Sequence, residues 1–349
     1  MPLDRIGRAA RPLLGHRQGF HSGIFWGLFY ASGIPGNLYA SHELASSGGD
    51  SSEGSSAAVE ARLFGAMAAV AAAGALSFAA LALPRFRLQR SQDEIIEEGK
   101  AISVRRHVAA IFRALGARSQ LRLAIPWFLF LGLSVPYNFA QFTRQVPCAD
   151  AGGAARARAP IGRVAAVFAG ADAIGALLAG RVIDRAGAAR VLAASVALEG
   201  AGLAAALAAD AAPCARRLAL FYAAAALLGL ADACAQTGTY AMIMHRCGRG
   251  DQEEGASAAT PFSAKSVCHT VGNVAGYVLT ASLRAAPHAT RASRAQFATE
   301  AAVVGASCAI GFACLARMLR LPSPDNSNRR SDEASDLLVG ASATTPLMR

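Results

Sequence analysis

The chain has 349 residues, of which 54% are apolar and only 16% charged, and the charges fall in short intervals between long apolar runs. This pattern excludes a water-soluble domain and gives an all-α polytopic membrane protein. The net charge of +11 is almost all arginine, with Lys100 and Lys265 the only lysines; between apolar runs it marks cytosolic loops facing anionic lipid, not a nucleic-acid surface.

Residues 1–18 carry Arg5, Arg8, Arg11 and Arg17 against Asp4 and read as a basic cytosolic flank, with an Arg-rich organelle transit peptide as the alternative. A first span follows at Gly19–Ala40, with Gly23 and Gly27 spaced for close helix contact and Pro35, Gly36 and Asn37 expected to break its last turns. Residues 41–59 have acidic but no basic side chains, which places them outside or in a lumen. A second span runs over Leu63–Leu83. Residues 84–122 form a charged cytosolic loop with nine basic side chains from Arg85 to Arg122 and an amphipathic stretch at Val108–Leu115.

Six further spans are expected at Leu123–Phe142, Ile161–Gly180, Val191–Ala209, Leu218–Met242, Phe262–Leu283 and Phe297–Leu319, giving about eight in all by the length criterion. The chain thus divides into the flank 1–18, two membrane helices within 19–83, the loop 84–122, a six-helix part 123–320 and a polar cytosolic tail 321–349 of disordered character. Alternate threading puts the turn Gly180–Arg190 on the cytosolic side. That turn, GRVIDRAGAAR, is short and highly charged between two apolar runs: Gly180 suits close packing, Asp184 and Arg185 form a charged corner, Gly187 permits the reversal and Arg190 precedes the next run.

Ionisable groups inside apolar spans cost a few kcal/mol each on insertion scales, so Asp172, Glu199, Asp232 and Lys265 are candidates for proton or cation coupling or for solute binding. His269 and Asn273 continue the face of Lys265. The competing reading is an interhelical pair, such as Asp232 with Lys265, that only fixes packing. Cys148 and Cys214 both fall in non-cytosolic loops where a disulfide is chemically permitted, two free thiols being the alternative; the remaining cysteines read as packing residues or a cytosolic thiol. In the tail, Glu333, Leu337 and Leu338 fit an acidic dileucine sorting pattern. No metal site, cofactor motif, catalytic arrangement or nucleic-acid motif is present, so no enzymatic activity is expected.

The turn resembles the G-x-x-x-D-R-x-G loop of the major facilitator superfamily. Three other stretches resemble its Unc-93-like branch: Gly23–Trp26 with Gly36–Tyr39 is similar to that family's fifth span, and Gly170–Gly175, with Asp172 in place of glutamate, to its eighth. Gly229–Asp232 followed by Gln236 and Thr237 is similar to the tenth, with Gln236 in place of asparagine. The resemblance implies the last eight of roughly twelve spans, two from the amino-terminal half and a whole carboxy-terminal half, and hence an expected incompleteness at the amino terminus. It also implies that Gly180, Asp184, Arg185, Gly187 and Arg190 form a gate, closing on the start of the first span at Gln18–Ser22. Two functions stay open from it. One is secondary transport of an unidentified small solute or protons across an endolysosomal or plasma membrane; the other is a non-transporting regulatory or trafficking role with a channel or receptor partner.

Overall fold

The structure is a computed structural model and describes residues 18–46, 120–147, 154–247, 260–284 and 290–321, with short pieces at 61–76 and 108–116. Its helices are α1 (Gln18–Ala31), α2 (Gly33–Ser46), α3 (Ile125–Pro136), α4 (Ala154–Ala186), α5 (Ala188–Ala211), α6 (Cys214–Cys247), α7 (Thr260–Arg284) and α8 (Thr290–Arg320). A 3-10 turn at Gln120–Ala124 leads into α3, and a π-helical turn at Tyr137–Phe142 continues it. No strand occurs among the described residues.

Among the described residues, five stretches are long and apolar enough to cross a membrane: Gln120–Phe142, Pro160–Ala186, Ala188–Ala211, Cys214–His245 and Arg294–Arg320. The protein is therefore an integral multi-pass membrane protein. Helix α7, with 25 residues, has a spanning length, but Lys265, His269 and Asn273 dilute its apolar character. Most of these helices outrun the apolar windows read from the sequence, because the alanine- and arginine-containing flanks continue the helix beyond the apolar stretch.

The expected first span is corrected in one respect. The helix breaks at Ser32, ahead of Pro35, and resumes at Gly33. Proline has no N–H to bond the carbonyl four residues back, here Ala31, and its ring crowds that carbonyl. The break is therefore felt a turn upstream, while Pro35 itself sits comfortably in the first turn of α2. Each of the two helices has 14 residues, about 21 Å, so neither crosses a bilayer alone. The second expected span, Leu63–Leu83, falls largely outside the described residues.

Helices α1 and α2 both pack on α4, α4 packs on α6, α6 on α5, α5 on α8, and α7 and α8 both flank α3. The core around α3, α5, α6 and α8 contains Trp127, Phe128, Leu131, Phe221, Leu228, Phe297 and Leu315. The Trp127 indole N–H donates to Thr239 Oγ1 at 2.8 Å, so the largest core side chain leaves no buried donor unpaired. Elsewhere alanines and glycines let backbones approach, as where α7 crosses α3 at Gly272 and Gly132. Outward faces carry Val271, Val274 and Val278 on α7 and Phe25, Leu28 and Phe29 on α1.

Candidate functional site

Two polar contacts tie α1 to the helices beneath it. The first is at its start. Asp184, near the end of α4, accepts the Gly19 N–H on Oδ1 at 2.9 Å and the Phe20 N–H on Oδ2 at 3.0 Å. The first N–H groups of a helix lack intrahelical partners and form the positive end of its dipole, so one carboxylate satisfies two of them. The approach requires glycine: a Cβ on Gly180 would overlap the Gly19 carbonyl oxygen and stand 3.1 Å from the Gly23 Cα. Gly187, with φ of 84°, turns the chain from α4 into α5 within one residue. Arg185 and Arg190 are exposed and take no part in the Asp184 contact.

The second contact is at the other end of α1. The Tyr30 hydroxyl donates to Asp232 Oδ2 at 2.8 Å, and the Gln236 amide, one turn along α6, donates to Asp232 Oδ1 at 3.4 Å. Lys265 of α7 donates to Gln236 Oε1 at 3.0 Å. Four side chains thus run from α1 through α6 to α7. The Lys265 ammonium also lies 5.0 Å from the centre of the Tyr240 ring and 5.8 Å from that of Trp26, where ring quadrupoles attract a cation. Trp26 stacks on Tyr30 at 5.4 Å and meets Tyr240 edge-on at 5.1 Å, completing an aromatic wall.

Asp172 of α4 is wholly buried and faces Asp232, and neither of its oxygens receives a hydrogen bond from a donor group. Two buried carboxyl groups thus stand side by side, on α4 and on α6. Asp172, Asp232, Gln236 and Lys265 therefore come together. Asp232 and Lys265 form no direct ion pair, Gln236 standing between them. Glu199 on α5 is apart from this group, 4% exposed, and lines a small cavity whose wall includes Asp232.

At the opposite end of the bundle Arg217 donates to Asp210 Oδ1 at 3.0 Å and to the Gln145 carbonyl at 2.7 Å, with Arg294 3.9 Å from the other Asp210 oxygen. Cys214 is disulfide-bonded. Cys148 lies outside the described residues, as do Glu333, Leu337 and Leu338.

A family model for the Major Facilitator Superfamily matches residues 153–348. The chain belongs to the major facilitator superfamily. No curated protein matches it, and no solved structure does. The matched region takes in α4 to α8, and with them Asp172, Asp184, Glu199, Asp232, Gln236 and Lys265. Superfamily members are generally transporters rather than enzymes, and the site holds charge, hydrogen bonds and aromatic surface. Among the described residues of this major facilitator chain no group of three His, Cys, Asp or Glu could hold a metal ion.

Sequence reasoning passed over Trp26, Tyr30 and Tyr240 as site residues, and passed over Asp210 altogether. Trp26 and Tyr30 are one helical turn apart, which places them on one face, but nothing in the sequence turns that face toward Asp232. Asp210 stands next to the end of a span, where an acidic residue reads as solvated.

Proposed function

We propose that this protein is a secondary transporter of the Unc-93-like type, moving a small solute with the help of a proton held by the Asp172–Asp232 pair. The observation that carries the reading is the chain of side chains Tyr30–Asp232–Gln236–Lys265, which crosses from α1 to the six-helix part. Major facilitators work by rocking one helical unit against another around a central site. Movement of α1 away from α6 breaks the Tyr30 bond, uncovers Asp232 and frees Lys265 from the Trp26 face. The Asp184 contact at the start of α1 opens in the same movement, which gives the Gly180–Arg190 turn its role as a gate. Gly23–Trp26 with Gly36–Tyr39, Gly170–Gly175 and Gly229–Asp232 support the branch assignment.

The experiment is a thermal-shift screen of the purified protein against small polar solutes, followed by uptake into proteoliposomes. Asp232→Asn and Lys265→Gln are expected to abolish both stabilisation by the solute and uptake while leaving expression intact. Solute uptake that survives both substitutions would remove the site from the mechanism. Binding of a channel or receptor with no solute flux would favour a regulatory role.

A further inference from the structure

Between α3, α5 and α6, inside the six-helix part, lies a cavity of about 10 Å³, room for one occupant of the size of a water molecule. Its polar wall consists of Ser134, Asn138, Ser195, Glu199 and Asp232, and its remainder is apolar, including Phe130. Asn138 is set by the π-helical turn that begins at Tyr137, an irregularity that re-aims side chains and frequently marks functional sites.

The wall offers acceptors. Ser134 donates its hydroxyl proton to the Leu131 carbonyl at 3.0 Å, and Ser195 donates its own to the Leu192 carbonyl at 2.7 Å. Both oxygens therefore keep lone pairs free. Asn138 Oδ1 and Glu199 Oε1 are buried without a hydrogen-bond partner, each on a residue 4% exposed. Asp232 adds a carboxylate whose two oxygens each accept one bond from elsewhere and retain capacity for another. No basic side chain lines the cavity, and Lys265 is engaged by Gln236. An ionised carboxylate in such surroundings is costly, and either a proton or a bound cation relieves it.

We infer that this cavity binds a monovalent cation of the size of sodium, coordinated by Glu199, Asn138, Ser134, Ser195 and Asp232. The ligands are hard oxygens, which suit an alkali-metal ion and not a soft transition metal. A magnesium ion keeps several of its waters, for which a space the size of one water molecule has no room. Because Asp232 faces both this cavity and Tyr30, an ion here biases the contact that α1 makes, and the cation site is coupled to the seam.

The test is direct binding of ²²Na⁺ to the purified full chain in detergent, by scintillation proximity with choline as the background cation. It requires no transport, so it can fail while the transporter reading stands, and the reverse. Saturable binding, displaced by unlabelled sodium and not by choline, is expected, with at least a tenfold loss of affinity in Glu199→Gln. Should Glu199→Gln fail to fold, Ser195→Ala keeps the charge and is expected to weaken sodium binding several-fold. Absence of saturable binding by the unaltered protein means that a water molecule or a protonated carboxyl fills the space, and overturns the inference. Sodium binding unchanged in Glu199→Gln, or in Ser195→Ala where only that variant folds, overturns it too.

Discussion

Asp232 accepts one hydrogen bond on each carboxylate oxygen, from a tyrosine on another helix and from an amide on its own. The cross-helix bond is the one that a moving α1 must break. A hydrogen bond to a charged group contributes about 1.5–3 kcal/mol, so Tyr30→Phe should change the balance between open and closed forms by roughly ten- to a hundredfold. The expected outcome is solute uptake reduced by that order with expression unchanged, measured in the same proteoliposomes. Asp172, Asp232 and Lys265 were legible in the sequence because charges inside apolar runs are expensive and therefore conspicuous. Tyr30 and Trp26 were not, since aromatic residues in a membrane span are ordinary, and only the packing of α1 on α4 and α6 turns them toward an acid. Gln236 was visible through family likeness alone. Its position between Asp232 and Lys265 depends on where α7 docks, which no local pattern encodes.

At the scale of helices, the contact between α1 and α4 depends on glycine at one point and on a carboxylate at another. Gly180→Val places atoms where the Gly19 carbonyl now lies, and overpacking of this kind costs about 1–3 kcal/mol. The melting temperature should fall accordingly, whereas Gly36→Ala, with nothing within 4 Å of the new methyl, should be neutral or slightly stabilising. Asp184→Ala removes the cap on α1, a loss of about 1 kcal/mol, or about fivefold in a local opening equilibrium. Hydrogen exchange reads this directly: the Gly19 and Phe20 amides, bonded to Asp184, should exchange about fivefold faster. Apolar runs located the helices well, because a run of that length has one reading in a membrane. They gave the ends poorly. A helix does not stop where its apolar stretch stops, and the break at Ser32 is set by a proline three residues further on whose clash is with the preceding turn.

Across the whole molecule, the two ends of the bundle are fastened differently. The Asp184 contact joins α1 to α4, across the seam that rocking would open. The Asp210 cluster instead joins the end of α5, the start of α6, the segment after α3 and the start of α8, all within the six-helix part. It also accounts for arginines on a side that the positive-inside bias would leave poor in them: Arg217 is neutralised by Asp210, and Arg294 lies beside it. The disulfide at Cys214 falls at this same end. Cys234, Cys268, Cys308 and Cys314 are free, and Cys247 is at the far end of the 34-residue helix α6, about 50 Å away. Peptide mapping without reduction is therefore expected to recover Cys214 linked to Cys148. A fastening inside one rigid part should support stability without governing the gate. Asp210→Ala removes a charge-assisted bond worth about 2 kcal/mol and leaves Arg217 with the Gln145 carbonyl and the Phe221 ring, so the melting temperature should fall. Exchange at Gly19 and Phe20 should stay as it is in the unaltered protein. Faster exchange there in Asp210→Ala would mean that the two ends are coupled, and that the six-helix part does not move as one body.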